Sequence, residues 1–406
     1  MWVPKGTSPE GLNCRRGAMK KYILEASLLL FININSFSQG LGNSVSGRQI
    51  GNGVLTSGTS FIAIGPDTRG SALGEAGVAT SADVNSLYWN NAKLVFIDGR
   101  FGGSVSYSPW LHKITNDMFL SYVSGYYRID DQQVFGMSMR YFNLGDFEIN
   151  DNFGNFVGSL NPYQVAFDIT YSRKLTEELA VGISGRYIRS NTSRQFSLLE
   201  GTDIGSTVAI DLGVYYQKKT SLNGHDVNIS FGTHLSNFGP RIKYNDFRAS
   251  EPIPTNLRLG TAFRYHLDSD NSVTFVFDVN KLMVPSPPII VIDPKSGERS
   301  LMKGKETDRN LFSSTFGSFT DAPEGFSEEM KELTYSLGLE YWYRELFALR
   351  GGYFHEHEQK GNRKYLTFGS GFRYQAFEFS ASYLIPTINN HPMAETLRLS
   401  VFLNYK

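Results

Sequence analysis

The run His355-Glu356-His357-Glu358 is the first place to look for chemistry. Imidazole and carboxylate are common metal ligands. On a strand, residues i and i+2 share a face, so the two histidines could approach one ion. A metal site needs further ligands at fixed spacing, and none follows. The plainer reading is a solvated strand end running into a loop, with no metal and no cofactor. A second set is a series of charges: Asp168, Arg186, Asp211, Arg258, Arg264, Asp278, Glu340, Arg350, Arg373, Glu378 and Arg398. Each lies on the polar side of an alternating segment. They could mark a substrate path, or pair with one another across a hydrated interior. The second is the default for such segments. No G-x-S-x-G elbow, H-E-x-x-H pair or phosphate loop occurs, and residues 40–58 lack dinucleotide spacing. No catalytic residue is singled out, and the chain is not expected to be an enzyme. Asn191-Thr192-Ser193 is a sequon by pattern only.

The elements carrying these charges read as strands. Leu397, Leu399, Val401, Leu403 and Tyr405 point one way, and Arg398, Ser400, Phe402, Asn404 and Lys406 the other, because strand side chains alternate. The same period recurs from about Phe101 onward. Val165, Phe167, Ile169 and Tyr171 oppose Ala166, Asp168, Thr170 and Ser172. Leu333, Tyr335, Leu337, Leu339, Tyr341 and Tyr343 oppose Thr334, Ser336, Gly338, Glu340 and Trp342. A soluble sandwich also alternates. Two features favour a transmembrane barrel. Tyrosines gather at strand ends, as interfacial girdles require. Short connections (at Asp130–Asp131, Thr176–Glu178 and Gln375–Ala376, for example) alternate with long ones, the longest from Leu282 to Glu332. The expectation is an all-β membrane protein, an antiparallel barrel of about fourteen strands, closed by pairing Leu397–Lys406 with the strand near Phe101.

Composition agrees. Charged residues make up 19% and aromatics 14% of the 406 residues, against about 25% charged in soluble domains. No run of ~20 apolar residues follows the amino end, and a net charge of zero gives no reason to expect nucleic acid. Met19-Lys20-Lys21, the apolar stretch Tyr22 to Ile34 and Ser36-Phe37-Ser38 read as a secretory signal peptide. It is flawed by Glu25 and preceded by an upstream extension holding the lone Cys14. The expected organisation is residues 1–38 extension plus signal peptide, 39–57 flexible periplasmic lead, 58–98 plug, and 99–406 barrel with a long extracellular loop at 282–332.

Residues 58–97 do not alternate and are rich in Gly, Ala and Ser, which suits close backbone packing and a lumenal plug. Here the chain resembles a known family. Pro66-Asp67-x-Arg69-Gly70, the run from Gly74 to Ser86 (G-E-A-G-V-A-T-S-A-D-V-N-S) and Trp89-Asn90-Asn91-Ala92-Lys93 resemble the start of the PorV family. These are the outer-membrane barrels of the type IX secretion system, within the FadL-like transporters. That family usually has W-N-P-A-K. Asn91 replaces the proline, and without its fixed φ a looser turn is expected. Lys281 to Pro288 (K-L-M-V-P-S-P-P), Lys303 to Lys305 and Asp321 to Leu333 (D-A-P-E-G-F-S-E-E-M-K-E-L) resemble the same family's large loop. The last block separates the chain from the sister component PorQ.

The resemblance implies a non-catalytic exporter component in the outer membrane. It would bind the giant translocon SprA (also called Sov), receive cargo carrying a C-terminal secretion domain, and pass it to the surface attachment complex containing the PorU sortase. Outer-membrane lipid would surround it. Implied contact residues are Leu282, Met283, Val284, Pro285, Pro287, Pro288, Ile289 and Ile290, with Asp321, Ala322, Pro323, Gly325 and Phe326. Phe312, Phe316 and Phe319 extend that apolar patch. Prolines should hold Leu282 to Ile292 as a stiff, exposed strip. Asp67, Arg69, Gly70, Gly74, Gly77, Asp83, Asn85, Trp89 and Asn90 would form the hatch. The competing expectation is FadL-like transport of hydrophobic small molecules.

Overall fold

Period-two segments of this length cannot sit in a bilayer with free edges, because unpaired N–H and C=O groups find no partner in hydrocarbon. Closure is the solution, and the computed structural model shows it. The structure describes residues 53–111, 115, 117–150, 153–191, 204–244, 250–292, 299–388, 393–394 and 396–405. The signal peptide, Cys14 and the lead up to residue 52 lie outside them. A closed antiparallel barrel of fourteen strands is formed. Its strands are Phe101–Pro109, Phe119–Asp130, Gln133–Asn143, Tyr163–Lys174, Leu179–Asn191, Ile204–Leu222, His225–Phe238, Asn256–His266, Asn271–Leu282, Leu333–Tyr343, Phe347–His355, Lys364–Tyr374, Phe377–Pro386 and Leu397–Tyr405. The last pairs with the first, Phe101 opposite Tyr405 and Tyr107 opposite Leu399.

Alternation sorts the side chains as expected. Leu337 and Leu339 face out, while Ser336 and Glu340 on the same strand are buried. Rings pack at both rims: Phe101 stacks on Tyr405 at 4.9 Å and Phe347 meets Phe372 at 5.0 Å near the short turns, and Tyr141 stacks on Tyr163 at 5.9 Å at the other end. The short turns are tight. Asn223 and Gly224 both have positive φ, 52° and 82°, as a two-residue turn between right-twisted strands demands. The longest connection folds into a hairpin, Ile289–Ile292 with Arg299–Lys303, and two helices, Leu311–Gly317 and Phe326–Lys331.

Among the described residues, 53–98 contain no strand. They fill the lumen. Two apolar clusters close the segment against the wall. Phe61, Ile62 and Ile64 pack with Trp110, Phe142, Ile188 and Phe354 at the end of the long connections. Val84, Leu87, Leu94 and Ile97 pack with Tyr126, Val134, Ala180 and Phe402 at the short-turn end. The segment therefore runs from one mouth to the other. This corrects the lead drawn through residue 57. Val54 and Leu55 are buried, the Gly53 carbonyl accepts from Lys360 Nζ at 3.0 Å, and Gly58 N–H donates to the Pro252 carbonyl. Residues 53–57 are packed at the long-loop mouth, opposite the short turns.

Candidate functional site

Two constructions carry the functional interest: the seat of the lumenal segment and the clamp that fixes the long loop.

The seat is organised around Trp89. Its indole donates from Nε1 to Asp67 Oδ1 at 2.6 Å, and Asp67 also caps the helix Thr68–Ala72 by accepting from Gly70 N–H. The indole lies where side chains at Gly70 and Gly77 would be. A Cβ on Gly70 would stand 2.3 Å from Cε2, and one on Gly77 2.4 Å from Cδ2. Both glycines are thus required by one aromatic slot. Lys93 reaches back from the third motif and donates to the Gly77 carbonyl and Thr80 Oγ1. The three sequence blocks form one folded unit. Gly77→Ala is expected to destabilise the protein by about 1–3 kcal/mol through overpacking. Gly185→Ala, whose Cβ meets nothing, should be neutral. Thermal unfolding of the two variants side by side measures the difference.

The wall holds this unit by charge. Arg69 grips Glu340 through both carboxylate oxygens, at 2.9 and 2.8 Å, and reaches Asp83 at 2.8 Å and the Ser81 carbonyl at 3.0 Å. Glu340 also accepts from Arg350, which continues to Glu378 and Arg373. Asp278 accepts from the Gly77 and Val78 N–H groups at 2.7 and 2.9 Å. Arg398 pairs with Glu75. Tyr88 lies between the guanidinium groups of Arg140 and Arg258, at 4.8 and 4.6 Å. Asp168, Arg186 and Asp211 pair among themselves within the wall. Most of the inward charges expected from sequence are therefore paired, and several of their partners lie in the lumenal segment. Asn85 accepts from Ser104 Oγ at 2.8 Å, and Asn90 donates to the Val78 and Val214 carbonyls.

Asn91 does not loosen its turn. It is the first residue of the 3-10 helix Asn91–Phe96, capped by Asn90, a position that suits proline. Its amide donates to Ser184 Oγ at 2.8 Å and weakly to the Asp211 carbonyl. Asparagine thus replaces a fixed φ with anchors to two strands.

Wall glycines were not singled out from sequence, yet they define the fit. A Cβ on Gly352 would meet Gly74 N at 2.1 Å. One on Gly213 would meet Asn91 Oδ1 at 2.2 Å, and one on Gly338 Leu73 Cβ at 2.8 Å. The available signal was glycine recurring on the inward parity of strands. Gly74 has φ 71° and lies against the Tyr353 backbone, so a side chain there is excluded twice over.

The clamp is a buried cluster at the long-loop mouth. Lys281 pairs with Glu329 and Glu332 at 2.8 and 2.6 Å, Lys360 pairs with Glu328 and Glu332, and Ser286 donates to Glu332. Burial raises the Glu328 carboxyl, but the Lys360 ammonium and the Glu324 N–H outweigh it and hold Glu328 below its usual range. Asp321 accepts from Ser286 N–H and pairs with Arg309, while Glu329 accepts from Asp321 and Ala322 N–H. This corrects the exposed strip. Met283, Val284, Pro285, Asp321 and Ala322 are buried scaffold, and Leu282 lines the mouth. Pro287, Pro288 and Pro323 are half-buried. Ile289, Ile290, Val291, Gly325 and Phe326 are exposed, Phe326 at 78%.

Between the lumenal segment and this mouth lies a cavity of about 200 Å³. Leu55, Ile64, Phe354 and Met393 give it an apolar lining, to which Arg258, Arg363 and Arg398 add charge. His355 packs on Tyr335 and Tyr353, whereas His357 accepts from Gln359 N–H as a helix cap. The two rings serve different local structures. Among the described residues no group of three potential ligands gathers.

Comparison with known proteins adds the following. The family described as type IX secretion system protein PorV matches residues 48–289. The match takes in the whole lumenal segment and ends before the Asp321-to-Leu333 block. No curated protein matches. Among solved structures, the Ralstonia pickettii toluene transporter TbuX is similar at 11% identity over 84% of this chain and 99% of its own, with a TM-score of 0.46. The P. putida toluene transporter TodX is similar at 13% identity over 84% and 99%, TM-score 0.47. A Pseudomonas aeruginosa FadL homologue is similar at 10% identity over 88% and 100%, TM-score 0.43.

Proposed function

The chain belongs to the PorV family of type IX secretion system proteins, and from that premise we propose that it is a non-catalytic carrier of secreted protein at the outer membrane. It binds the SprA/Sov translocon, receives cargo through a C-terminal secretion domain, and delivers it to the PorU-type attachment complex. The observation that carries this reading is the long loop. Buried lysine–carboxylate pairs fix its base, while Ile289, Ile290, Val291 and Phe326 stand exposed at its edges. A rigid loop loses little freedom on binding, and exposed apolar side chains on it are suited to a protein partner. The buried residues Met283 to Ser286 act by shaping the loop, and the contact itself falls to its exposed edge.

The test is substitution at that edge. Phe326→Asp with Ile290→Asp should leave barrel assembly intact and weaken capture of a purified secretion-domain protein by about 30-fold, as loss of one central anchor does. Capture at the original strength by the inserted variant would sink the assignment. A second reading is favoured by the cavity: movement of a hydrophobic small molecule past the lumenal segment. Co-purification of such a molecule, abolished by Phe354→Asp, would support it.

A further inference from the structure

The helix Leu311–Gly317 turns its two phenylalanines to the side opposite to the expected one. A helix covering a protein core turns its apolar stripe inward. Here Ser314 and Thr315 are buried, and line a pocket with Ile253, Met283 and Pro285. Phe312 and Phe316, one turn apart, project outward at 65% and 53% exposure.

The direction in which they project is informative. Both rings lie against Phe238, with centroids at 5.4 and 6.2 Å. Phe238 pairs with Ile210, which belongs to the outward row of its strand with Val208 and Leu212. Below the helix the wall is grooved. Phe167, Ile169, Tyr187, Val208 and Ile210 line the groove, and Leu311 closes its upper end. Strand pairing is irregular at the groove. The register shifts between Ile210 and Leu212. At that level Asn237, at φ 59°, turns inward to donate to Asp211 through its N–H and to the Pro254 carbonyl through its amide. The aromatic face of the helix is therefore continuous with the lipid-facing band of the barrel.

We propose that the helix Leu311–Gly317 is an interfacial membrane anchor, with Phe312 and Phe316 set among the acyl chains of the leaflet at the long-loop end. The groove beneath it seats one of those chains. The occupant is lipid because the surface is an extension of a wall already in lipid. Among the described residues that line the groove the charged one is Arg186, and its guanidinium is engaged with Asp168 and Asp211. Phe312 and Phe316, four residues apart, share one helical face, and bulky apolar side chains turned away from the protein are suited to the acyl boundary of an interface. The anchor rests on the barrel's place in a bilayer and is independent of the export role.

The test uses the whole barrel in liposomes, in a Cys14→Ser background, with a spin label introduced by Phe316→Cys. Labels at Ile169→Cys on the wall and Met302→Cys on the exposed hairpin are the references. The label at 316 should match the one at 169: oxygen, which concentrates in the bilayer, should relax it severalfold more than an aqueous nickel chelate does. A label at 316 that behaves like the one at 302 overturns the proposal. So does protection at 316 that appears only when the purified translocon is added, which would make this face a protein contact and leave the export role standing.

Discussion

Replacing Arg69 with alanine should unseat the lumenal segment and cost about 3–5 kcal/mol, the usual penalty for removing one partner from a buried ion pair. Arg69 is 8% exposed and Glu340 1%, so water does not replace the lost partner. Arg69 binds the wall through Glu340 and the segment through Asp83 and Ser81. Arg350 still holds Glu340 afterwards, which places the cost at the lower end of that range. Arg69→Lys keeps the charge but loses the planar fork, and its loss should be intermediate. Two measurements check this: the unfolding midpoint in detergent, and single-channel conductance in a planar bilayer. The alanine variant should unfold earlier and show openings absent from the parent. An unchanged midpoint together with an unchanged closed level would show that the segment is held by its apolar clusters alone.

Glu332→Ala should release the long loop. Its carboxylate serves Lys281, Lys360 and Ser286 together, and removing it leaves two buried ammonium groups each short of a partner. The expected cost is again about 3–5 kcal/mol. If the loop opens locally, the lower figure corresponds to roughly 100-fold faster cleavage by a protease acting on the open form. Cleavage between residues 283 and 331 is the readout. Lys331→Ala is the control, because its pair with Glu324 is solvent-accessible, half-buried at the lysine and exposed at the carboxylate, and such pairs contribute about 0–1 kcal/mol. Equal cleavage rates for the two variants would refute the clamp.

The barrel was legible in the sequence because each strand states its own face. Leu337, Leu339 and Tyr341 need no knowledge of their neighbours to be placed outward. Strand number and the alternation of short and long connections followed from the same rule. The lumenal segment was legible as a unit, from motif order and from lack of alternation, but its path was not. Nothing local tells that Gly53 meets Lys360, more than 300 residues away. The long loop misled in its first half for a related reason. Met283, Val284 and Pro285 look like an exposed strip until Lys281, Glu329 and Glu332 are brought together. Charges on a helix about 50 residues further on do not announce that they fold back onto the strand that carries Lys281. Asn91 shows the converse: a departure from a family motif whose replacement contacts lie on strands about 100 and 120 residues away.

The path of the lumenal segment also bears on how the barrel is made. A chain that enters by one mouth and leaves by the other could reach a finished cylinder only by threading. The contacts at the seam suggest the other order. Thr68 N–H donates to Ser400 Oγ on the last strand, Ser400 meets Ser106 on the first, and Asn85 accepts from Ser104 on the first. The segment therefore touches both lips of the seam at once. It can act as a mandrel: the sheet curls around it, and its serine and asparagine contacts set the register in which the two edge strands meet. A wall lacking its mandrel would still have complementary edges, but less to hold them in register while they zip.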